Sequence, residues 1–172
     1  MKILFAVNPG GLGHATRCLA IIELLKKKLR RSQIEVISGN SSAELFQARD
    51  YSVHDLYRFV PYTIIKGKMR FHSIWFLRYS LRYMKEKEAA QKIVEQFKPD
   101  LIISDQDLAI IPSASELRIP IIYMTDVLGV AFAKNPISRL WENYLNNSLT
   151  NLINICDLVL MPVEGKSKGK IS

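Results

Sequence analysis

The sequence predicts an α/β fold: a Rossmann-like, doubly wound and mainly parallel sheet in a single domain. Short apolar runs alternate with longer stretches of helical periodicity, which is typical of repeated βαβ units. The first run, residues 3–7, is nearly all apolar, as expected for a central strand buried on both faces. The chain has 172 residues, of which 48% are apolar, so it is long enough for one domain with an ordinary core.

The remaining elements follow from the same alternation. Pro99 ends a long helix because proline cannot continue the helical hydrogen bonds, and residues 60–73 show no clear periodicity. Residues 1–162 should form the domain, and residues 163–172 a solvated, linker-like tail. The predicted strands are residues 3–7, 34–38, 53–59, 101–104, 121–125 and 158–161, and the predicted helices are residues 15–31, 42–49, 74–97, 112–117 and 138–155.

The net charge of +8 favours a polyanionic partner: nucleic acid, an anionic membrane surface or a phosphate-bearing ligand. Cys18 and Cys156 form no CxxC pair, so neither a metal site nor a disulfide framework is expected, and a reducing cytoplasmic setting is the default. No run approaches the ~20 apolar residues of a membrane span. The protein is therefore expected to be cytoplasmic, either soluble or peripheral on the inner face of a membrane.

A glycine-rich turn, residues 8–14 (NPGGLGH), joins the first strand to the first helix. Such a turn presents backbone N–H groups and the positive end of the helix to an anion. A Walker A loop needs Gly-Lys-Ser/Thr, but here Gly13 is followed by His14. The dinucleotide fingerprint GxGxxG fits Gly11 and Gly13, yet Thr16 holds the place of its third glycine, and no acidic residue ends the second strand. These departures disfavour NAD and a P-loop nucleotidase.

His14 lies in the first turn of the helix, where positive potential favours the neutral imidazole that can accept a proton. An isolated histidine at a helix start is more often structural or merely exposed than functional. The glycines beside it make the two interpretations about equal, because such a run is needed only for a close ligand or for tight packing. In a doubly wound sheet the first strand adjoins the fourth, so Asp105, after the fourth strand, could orient the imidazole. The alternative is that Asp105 or Asp107 caps the next helix. Pro112 puts the start of that helix near residue 111, which leaves Asp105 in a loop.

Two motifs carry a family resemblance. Residues 11–17 (GLGHATR) resemble the GxGHxxR loop of GT-B-fold nucleotide-sugar enzymes, which include MurG-like and UDP-glycosyltransferase-like families. Residues 98–105 (KPDLIISD) and 114–122 (ASELRIPII) are similar to a second block of the same enzymes, P-D-hydrophobic-D followed by A-x-x-x-x-I-P. The two motifs have the order and spacing of the family and span most of the chain.

The resemblance implies the N-terminal, acceptor-binding half of an inverting nucleotide-sugar glycosyltransferase. His14 would be the general base on the acceptor hydroxyl and Asp105 its partner. Arg17 is a weaker candidate for contacting an acceptor phosphate, the alternative being a solvated helix residue. The loop at the acceptor would be formed by three glycines: Gly10, Gly11 and Gly13.

The donor, a UDP-sugar or another nucleotide sugar, would bind a C-terminal donor domain for which the sequence has no counterpart. We expect that domain to be missing or supplied by a separate chain. The present chain should be inactive without it, and it should hold no cofactor or metal of its own. Residues 13–19 (GHATRCL) also look like the start of UDP-sugar hydrolases, whose loop histidine activates water. A non-catalytic subunit that recruits a separate donor domain to a membrane is a further alternative.

Basic and aromatic residues are interleaved from residue 66 to residue 85, where no acidic residue occurs. Helical spacing puts four of them on one stripe. Such a surface suits a peripheral contact with anionic lipid and a lipid acceptor; a small-molecule acceptor and an ordinary basic amphipathic helix are the alternatives. Nucleic acid is disfavoured because no nucleic-acid-binding motif is present. The candidate membrane-contact residues are Arg70, Trp75, Arg78, Arg82 and Lys85.

Overall fold

The computed structural model describes residues 1–61, 63–65, 68–70, 72–129, 131 and 136–162, with the side chains of residues 64, 68–70, 72, 73, 137 and 138 left aside. The strands among these residues are β1 (Lys2–Val7), β2 (Gln33–Ser38), β3 (Ser52–Asp55), β4 (Thr63–Ile65), β5 (Lys68–Arg70), β6 (Leu101–Asp105), β7 (Ile121–Met124) and β8 (Leu158–Leu160). The helices are α1 (Leu12–Lys28), α2 (Asn40–Gln47), α3 (His72–Phe97), α4 (Ile111–Glu116) and α5 (Pro136–Ile155).

Six strands form one parallel sheet with the order β3-β2-β1-β6-β7-β8, and β4 and β5 form a separate antiparallel pair. This is the strand order of a doubly wound sheet, whose switch point lies between β1 and β6. The predicted fold class is therefore confirmed. The predicted neighbourhood of β1 and β6 is also observed, with Val7 beside Asp105. Their carboxyl ends meet at the sheet edge where such folds collect ligands.

Each face of the sheet buries its own apolar cluster, because alternate strand residues point to opposite sides. On one face Phe5 and Ile22 are fully buried between the sheet, α1 and α2. On the other face Leu4 and Val94 are fully buried between the sheet, α3 and α4. Each such side chain contributes about 1.5–3 kcal/mol to folding. The two layers hold the central strands rigidly and so fix the site at their ends.

Several boundaries differ from the predicted ones. The helix α1 begins at Leu12 rather than at residue 15, because Gly11, with a φ of 106°, makes the turn itself. The sequence predicts no element for residues 60–73, but the structure contains β4 and β5, whose three residues each are too few for a periodic signal. The predicted tail, residues 163–172, lies outside the described residues.

The position of Asp105 differs from the predicted one. The sequence predicts Asp105 in a loop, but it is the last residue of β6. It lies beside Val7 of β1 and Met124 of β7 in the parallel ladder. The sheet, rather than a loop conformation, therefore fixes the position of this carboxylate.

Candidate active site

The glycine loop between β1 and α1 is held by Asn8. The Gly10 N–H donates to Asn8 Oδ1 over 2.8 Å, and Asn8 Nδ2 donates to the carbonyl oxygen of Gln106 over 3.0 Å. An added Cβ at Gly10 would lie 2.8 Å from Asn8 Oδ1, so the Asn8 side chain would have to shift. Gly11 has a φ of 106°, which favours glycine for a conformational reason. Asn8 thus ties the loop to the end of β6, a role that the sequence did not reveal.

Among the described residues, packing does not require a glycine at position 13. An added Cβ at Gly11 or Gly13 would meet none of their atoms within 4 Å. Space is therefore open in front of the first turn of α1, where no side chain caps the helix. The N–H groups of a first helical turn lack intrahelical partners, and the helix dipole makes this region positive. The open face suits a polar or anionic group of a ligand.

The pairing of β1 with β6 brings His14 and Asp105 together. His14 Nδ1 lies 3.0 Å from Asp105 Oδ1. The Asp105 side chain is 0% exposed, and the His14 side chain is 15% exposed. Since a carboxylate only accepts hydrogen bonds, the contact assigns the proton of the neutral ring to Nδ1 and leaves the lone pair on Nε2. The geometry is that of an oriented base, while the catalytic role of the two residues stays a prediction.

Both oxygens of Asp105 are occupied by donors. Arg17 donates from Nη2 to Oδ1 over 2.6 Å and from Nε to Oδ2 over 2.9 Å, which is a bidentate pair. Burial favours the neutral carboxyl, but the hydrogen bonds and charges of His14 and Arg17 outweigh it and hold the pKa of Asp105 below its usual value. The Cys18 thiol donates to Oδ2 over 3.4 Å, and burial together with this carboxylate raises its pKa. Asp105 is therefore a carboxylate at neutral pH, beside a protonated thiol.

Arg17 is not a solvated helix residue, because it binds Asp105 and its Nη1 also lies 2.9 Å from Asp126 Oδ1. Its contact with an acceptor phosphate stays a prediction. The hydrogen bond to Asp105 raises the pKa of Arg17 further, against the effect of burial. The sequence patterns did not point to Asp126 as a site residue. Its position just after β7, at the sheet edge that carries Asp105, is the feature from which it could have been predicted.

Asp107 holds the turn before α4 but does not cap the helix, whose N-cap residue is Ile110 without a side-chain cap hydrogen bond. Asp107 accepts the Tyr57 hydroxyl over 2.8 Å and the backbone N–H groups of Ala109 and Ile110 over 3.1 and 3.3 Å. Burial raises the pKa of Asp107 to about 6, although these hydrogen bonds oppose the shift. Asp107 thus holds the turn before α4 and leaves Asp105 to the site.

The segment 57–61 forms a wall beside the glycine loop. A Cβ added at Gly10 would lie 3.1 Å from the ring of Phe59. The backbone N–H of residue 58 donates to Glu86 Oε1 over 2.8 Å, and Trp75 Nε1 donates to the carbonyl oxygen of residue 60 over 3.0 Å. The predicted strand 53–59 ends at Asp55, so these residues do not extend the sheet, and the ring of Phe59 lies beside the glycine loop instead.

The sequence pattern of a known family, glycosyl transferase family 1, matches residues 1–150 and so covers most of the chain. The chain belongs to glycosyl transferase family 1. The matched range contains the glycine loop, β6 and Asp126. No curated protein matches the sequence.

Solved structures show that this family 1 chain has a GT-B-type, Rossmann-like fold. MurG from Acinetobacter baumannii aligns over 95% of this chain and 41% of its own, with 13% identity and a TM-score of 0.60. A UGT transferase from Siraitia grosvenorii, in complex with UDP, aligns over 93% of this chain and 44% of its own, with 16% identity and a TM-score of 0.60. UDP-GlcNAc 2-epimerase from Neisseria meningitidis, bound to UDP-GlcNAc, aligns over 95% and 40%, with 16% identity and a TM-score of 0.57. The chain thus spans less than half the length of these proteins.

In this family 1 chain the predicted basic and aromatic stripe divides into two environments. Trp75 packs inward, where it stacks on Tyr79 with ring centroids 5.2 Å apart. Arg70 ends β5, and its side chain lies outside the described residues. The other three residues line an open groove of about 330 Å³ beside residues 60 and 61: Arg78, Arg82 and Lys85.

The first half of α3 also carries large apolar side chains on the side opposite the sheet. Their spacing of three or four residues puts them on one face of the helix. This outer apolar face consists of four residues, which are 54%, 60%, 61% and 56% exposed respectively: Ile74, Leu77, Leu81 and Met84. Close by, the exposed Trp141 of α5 contacts Phe76, with ring centroids 5.9 Å apart. Exposed apolar side chains that are grouped on one helix face are typical of a surface that contacts another protein or a membrane.

A second imidazole–carboxylate pair lies elsewhere in the family 1 chain. His54 Nε2 lies 2.7 Å from Glu35 Oε2, and both line a groove of about 560 Å³ with Lys2 and Gln33. Glu35 lies on β2 and His54 on the edge strand β3, and the groove that they line contains no residue of the glycine loop. This second pair offers an internal comparison for the pair of His14.

Among the described residues, no group of three or more His, Cys, Asp or Glu side chains is placed to hold a metal ion. Within the described part of the chain, no helix combines the length and the apolar character that a membrane span requires.

Proposed function

We propose that residues 1–162 form the acceptor-side domain of an inverting glycosyltransferase that uses a nucleotide-sugar donor, with His14 as the general base. The 3.0 Å contact between His14 Nδ1 and the buried Asp105 carries this proposal. It lies where α1 starts and where Gly13 leaves open space. A base beside an uncapped helix start can receive a hydroxyl-bearing acceptor whose polar groups face the backbone N–H groups.

In the proposed reaction the acceptor hydroxyl lies near His14 Nε2. As its oxygen attacks the anomeric carbon of the donor sugar, the proton passes to Nε2 and a new C–O bond forms. The bond between that carbon and the nucleotide phosphate breaks, and the phosphate leaves with the bonding electrons. Asp105 keeps the ring in the required tautomer and stabilises the imidazolium. Because a single displacement needs one base and no enzyme nucleophile, the anomeric configuration inverts.

The donor would be held by a second domain, on this chain or on another. The structures of similar fold that bind UDP or UDP-GlcNAc are longer than this chain, and their names motivate a nucleotide-sugar donor. A UDP-sugar is accordingly the first donor to test. The same base could activate water, so the products must be analysed: a glycosylated acceptor supports transfer, and free sugar alone would indicate a hydrolase.

The test uses the enzyme complete with its donor-binding domain. His14→Ala should lower kcat ~10²-fold or more, because it removes the group that takes the proton of the acceptor hydroxyl. The matched control is His54→Gln, which removes an imidazole that also pairs with a carboxylate, at 2.7 Å, but on the edge strand β3 instead of at the glycine loop. Near-normal turnover by the His14 variant, or an equal loss in the control, would refute the assignment.

We further propose that the outer apolar face of α3 contacts an anionic membrane surface, from which a lipid acceptor would reach the site. Leu77 and Leu81 are 60% and 61% exposed, and Arg78 and Lys85 border them on the same helix. Apolar side chains that enter the headgroup region beside cations that meet anionic lipid are the requirements of a peripheral contact. Trp75 is not part of this surface, because it packs on Tyr79.

Liposome flotation tests this contact. The protein should float with vesicles that contain anionic phosphatidylglycerol, and less so with phosphatidylcholine alone or at high salt. Leu81→Glu should abolish flotation. Leu24→Glu is the matched control, since Leu24 is a 54% exposed leucine on α1, on the other face of the sheet. Flotation that is indifferent to lipid charge and to Leu81→Glu would eliminate this surface as a membrane contact.

A further inference from the structure

One oxygen of Asp105 serves two donors. Oδ1 lies 2.6 Å from Arg17 Nη2 and 3.0 Å from His14 Nδ1, and these two nitrogens lie 3.3 Å apart. Arg17 is positively charged at neutral pH, so it neutralises Asp105 and repels a proton that arrives on His14. Asp105 and Arg17 alone would therefore give the imidazolium little net stabilisation.

Asp126 changes this balance. Its Oδ1 accepts a hydrogen bond from Arg17 Nη1 over 2.9 Å, and its Oδ2 accepts one from Gln106 Nε2 over 3.3 Å. The turn that carries it is fixed, because the buried Thr125 hydroxyl donates to the carbonyl oxygen of Val127 over 2.7 Å and accepts its N–H over 3.2 Å. The Asp126 carboxylate is 46% exposed. It is thus held at the solvent side of Arg17, opposite Asp105.

We infer that Asp126 is a positioning residue of the site: it orients Arg17 and supplies the negative charge that lets Asp105 stabilise a protonated His14. With a neutral imidazole, two carboxylates and one guanidinium leave one net negative charge. When His14 takes a proton, the four groups are balanced. Without Asp126, the same protonation would leave the group with one net positive charge. This inference rests on the proposed role of His14 as the base.

Among the described residues, the charged and titratable groups that His14 contacts directly or through Asp105 and Arg17 come from three elements. Arg17 and Cys18 lie on α1, Asp105 ends β6, and Asp126 follows β7. The Cys18 thiol stays neutral because its burial raises its pKa. The charge balance at His14 therefore depends on Arg17 and on two carboxylates, Asp105 and Asp126. Of these two, Asp105 is buried and Asp126 is exposed.

The experiment is an NMR titration of the histidine ring signals in the chain itself. His14→Gln assigns the His14 signal among the three histidines of the sequence. Asp126→Asn should lower the midpoint of the His14 titration by roughly 0.3–1 pH unit, because it removes one nearby negative charge whose effect is partly screened by solvent. Asp126→Glu, which keeps the charge, should return the midpoint toward the wild-type value.

The matched control is Glu23→Gln, which removes an acidic residue from α1 that pairs with Arg49 at 3.2 Å and is 50% exposed. It should leave the His14 midpoint unchanged. An unchanged midpoint in Asp126→Asn, an equal shift in the control, or loss of the fold in Asp126→Asn would each overturn the inference. Since the titration needs neither donor nor acceptor, an inactive enzyme with the expected shifts would refute only the proposed function.

Discussion

Replacing Glu86 by glutamine tests the electrostatics of the wall beside the site. Glu86 lies on α3 and accepts the backbone N–H of Arg58 over 2.8 Å, a bond that the amide oxygen of glutamine can keep. Burial raises the pKa of Glu86 from 4.5 to about 7, with a further contribution from the Asp107 carboxylate; the hydrogen bond from Arg58 opposes the shift. The folded protein therefore holds a proton on Glu86 that the unfolded chain has released.

The sign of the pH dependence follows from this difference. Between about pH 4.5 and 7 the folded state binds more protons than the unfolded state, so the free energy of unfolding falls as the pH rises through this window. The whole shift corresponds to at most ~3 kcal/mol, and access of solvent to the side chain lowers that value. We expect Glu86→Gln to match the wild type near pH 4 and to exceed its stability by ~1–3 kcal/mol at pH 8.

Urea denaturation followed by circular dichroism at a series of pH values measures this difference. The control is Glu88→Gln, an exposed residue of the same helix, whose stability should follow the wild type at every pH. The pKa of Asp107, raised by burial to about 6, adds a similar slope below pH 6 to all three proteins, so only the difference between them is diagnostic. A difference between Glu86→Gln and the wild type that is constant with pH, or that the control reproduces, would refute the reasoning.

Substitutions at two glycines and the reactivity of one thiol test the packing around the site. A Cβ at Gly39 would lie 1.5 Å from the carbonyl oxygen of Tyr57, so Gly39→Ala should lower the free energy of unfolding by ~3 kcal/mol or more in urea titrations. Gly13→Ala should raise it by roughly 0.5–1 kcal/mol, because the Cβ meets open space among the described residues and helix propensity improves. Burial beside Asp105 raises the pKa of Cys18, so iodoacetamide at pH 8 should modify this thiol only in urea, as seen by peptide mass spectrometry. A stable Gly39→Ala, a weakened Gly13→Ala or a labelled native Cys18 would contradict these assignments.

The sequence predicts the central part of the site because topology determines it. The alternation of strands and helices specifies a doubly wound sheet, and such a sheet places the ends of β1 and β6 side by side. A histidine after the first strand and a carboxylate at the end of the fourth are then expected to be neighbours. His14 and Asp105 are 3.0 Å apart for this reason, although Asp105 ends the strand instead of lying in a loop.

The partners of Arg17 could not be predicted in the same way. Helical periodicity says on which turn Arg17 lies, but its contact with Asp126 depends on the register of β7 and on the turn formed by Thr125. The outer apolar face of α3 was missed for a related reason. The pattern contains apolar residues around the whole helix, and only packing shows that Trp75 points inward while Leu81 does not.

The separation of 91 positions in the sequence between His14 and Asp105 also bears on the order of folding. The glycine loop is a local feature that β1 and α1 can form early, whereas its carboxylate arrives only after the chain has crossed the sheet and β6 has docked on β1. Contacts of such separation form late, because a long loop must first be closed. A nascent or partly unfolded chain would therefore present the loop without an oriented base. Completion of the crossover is the event that brings the Asp105 carboxylate to His14.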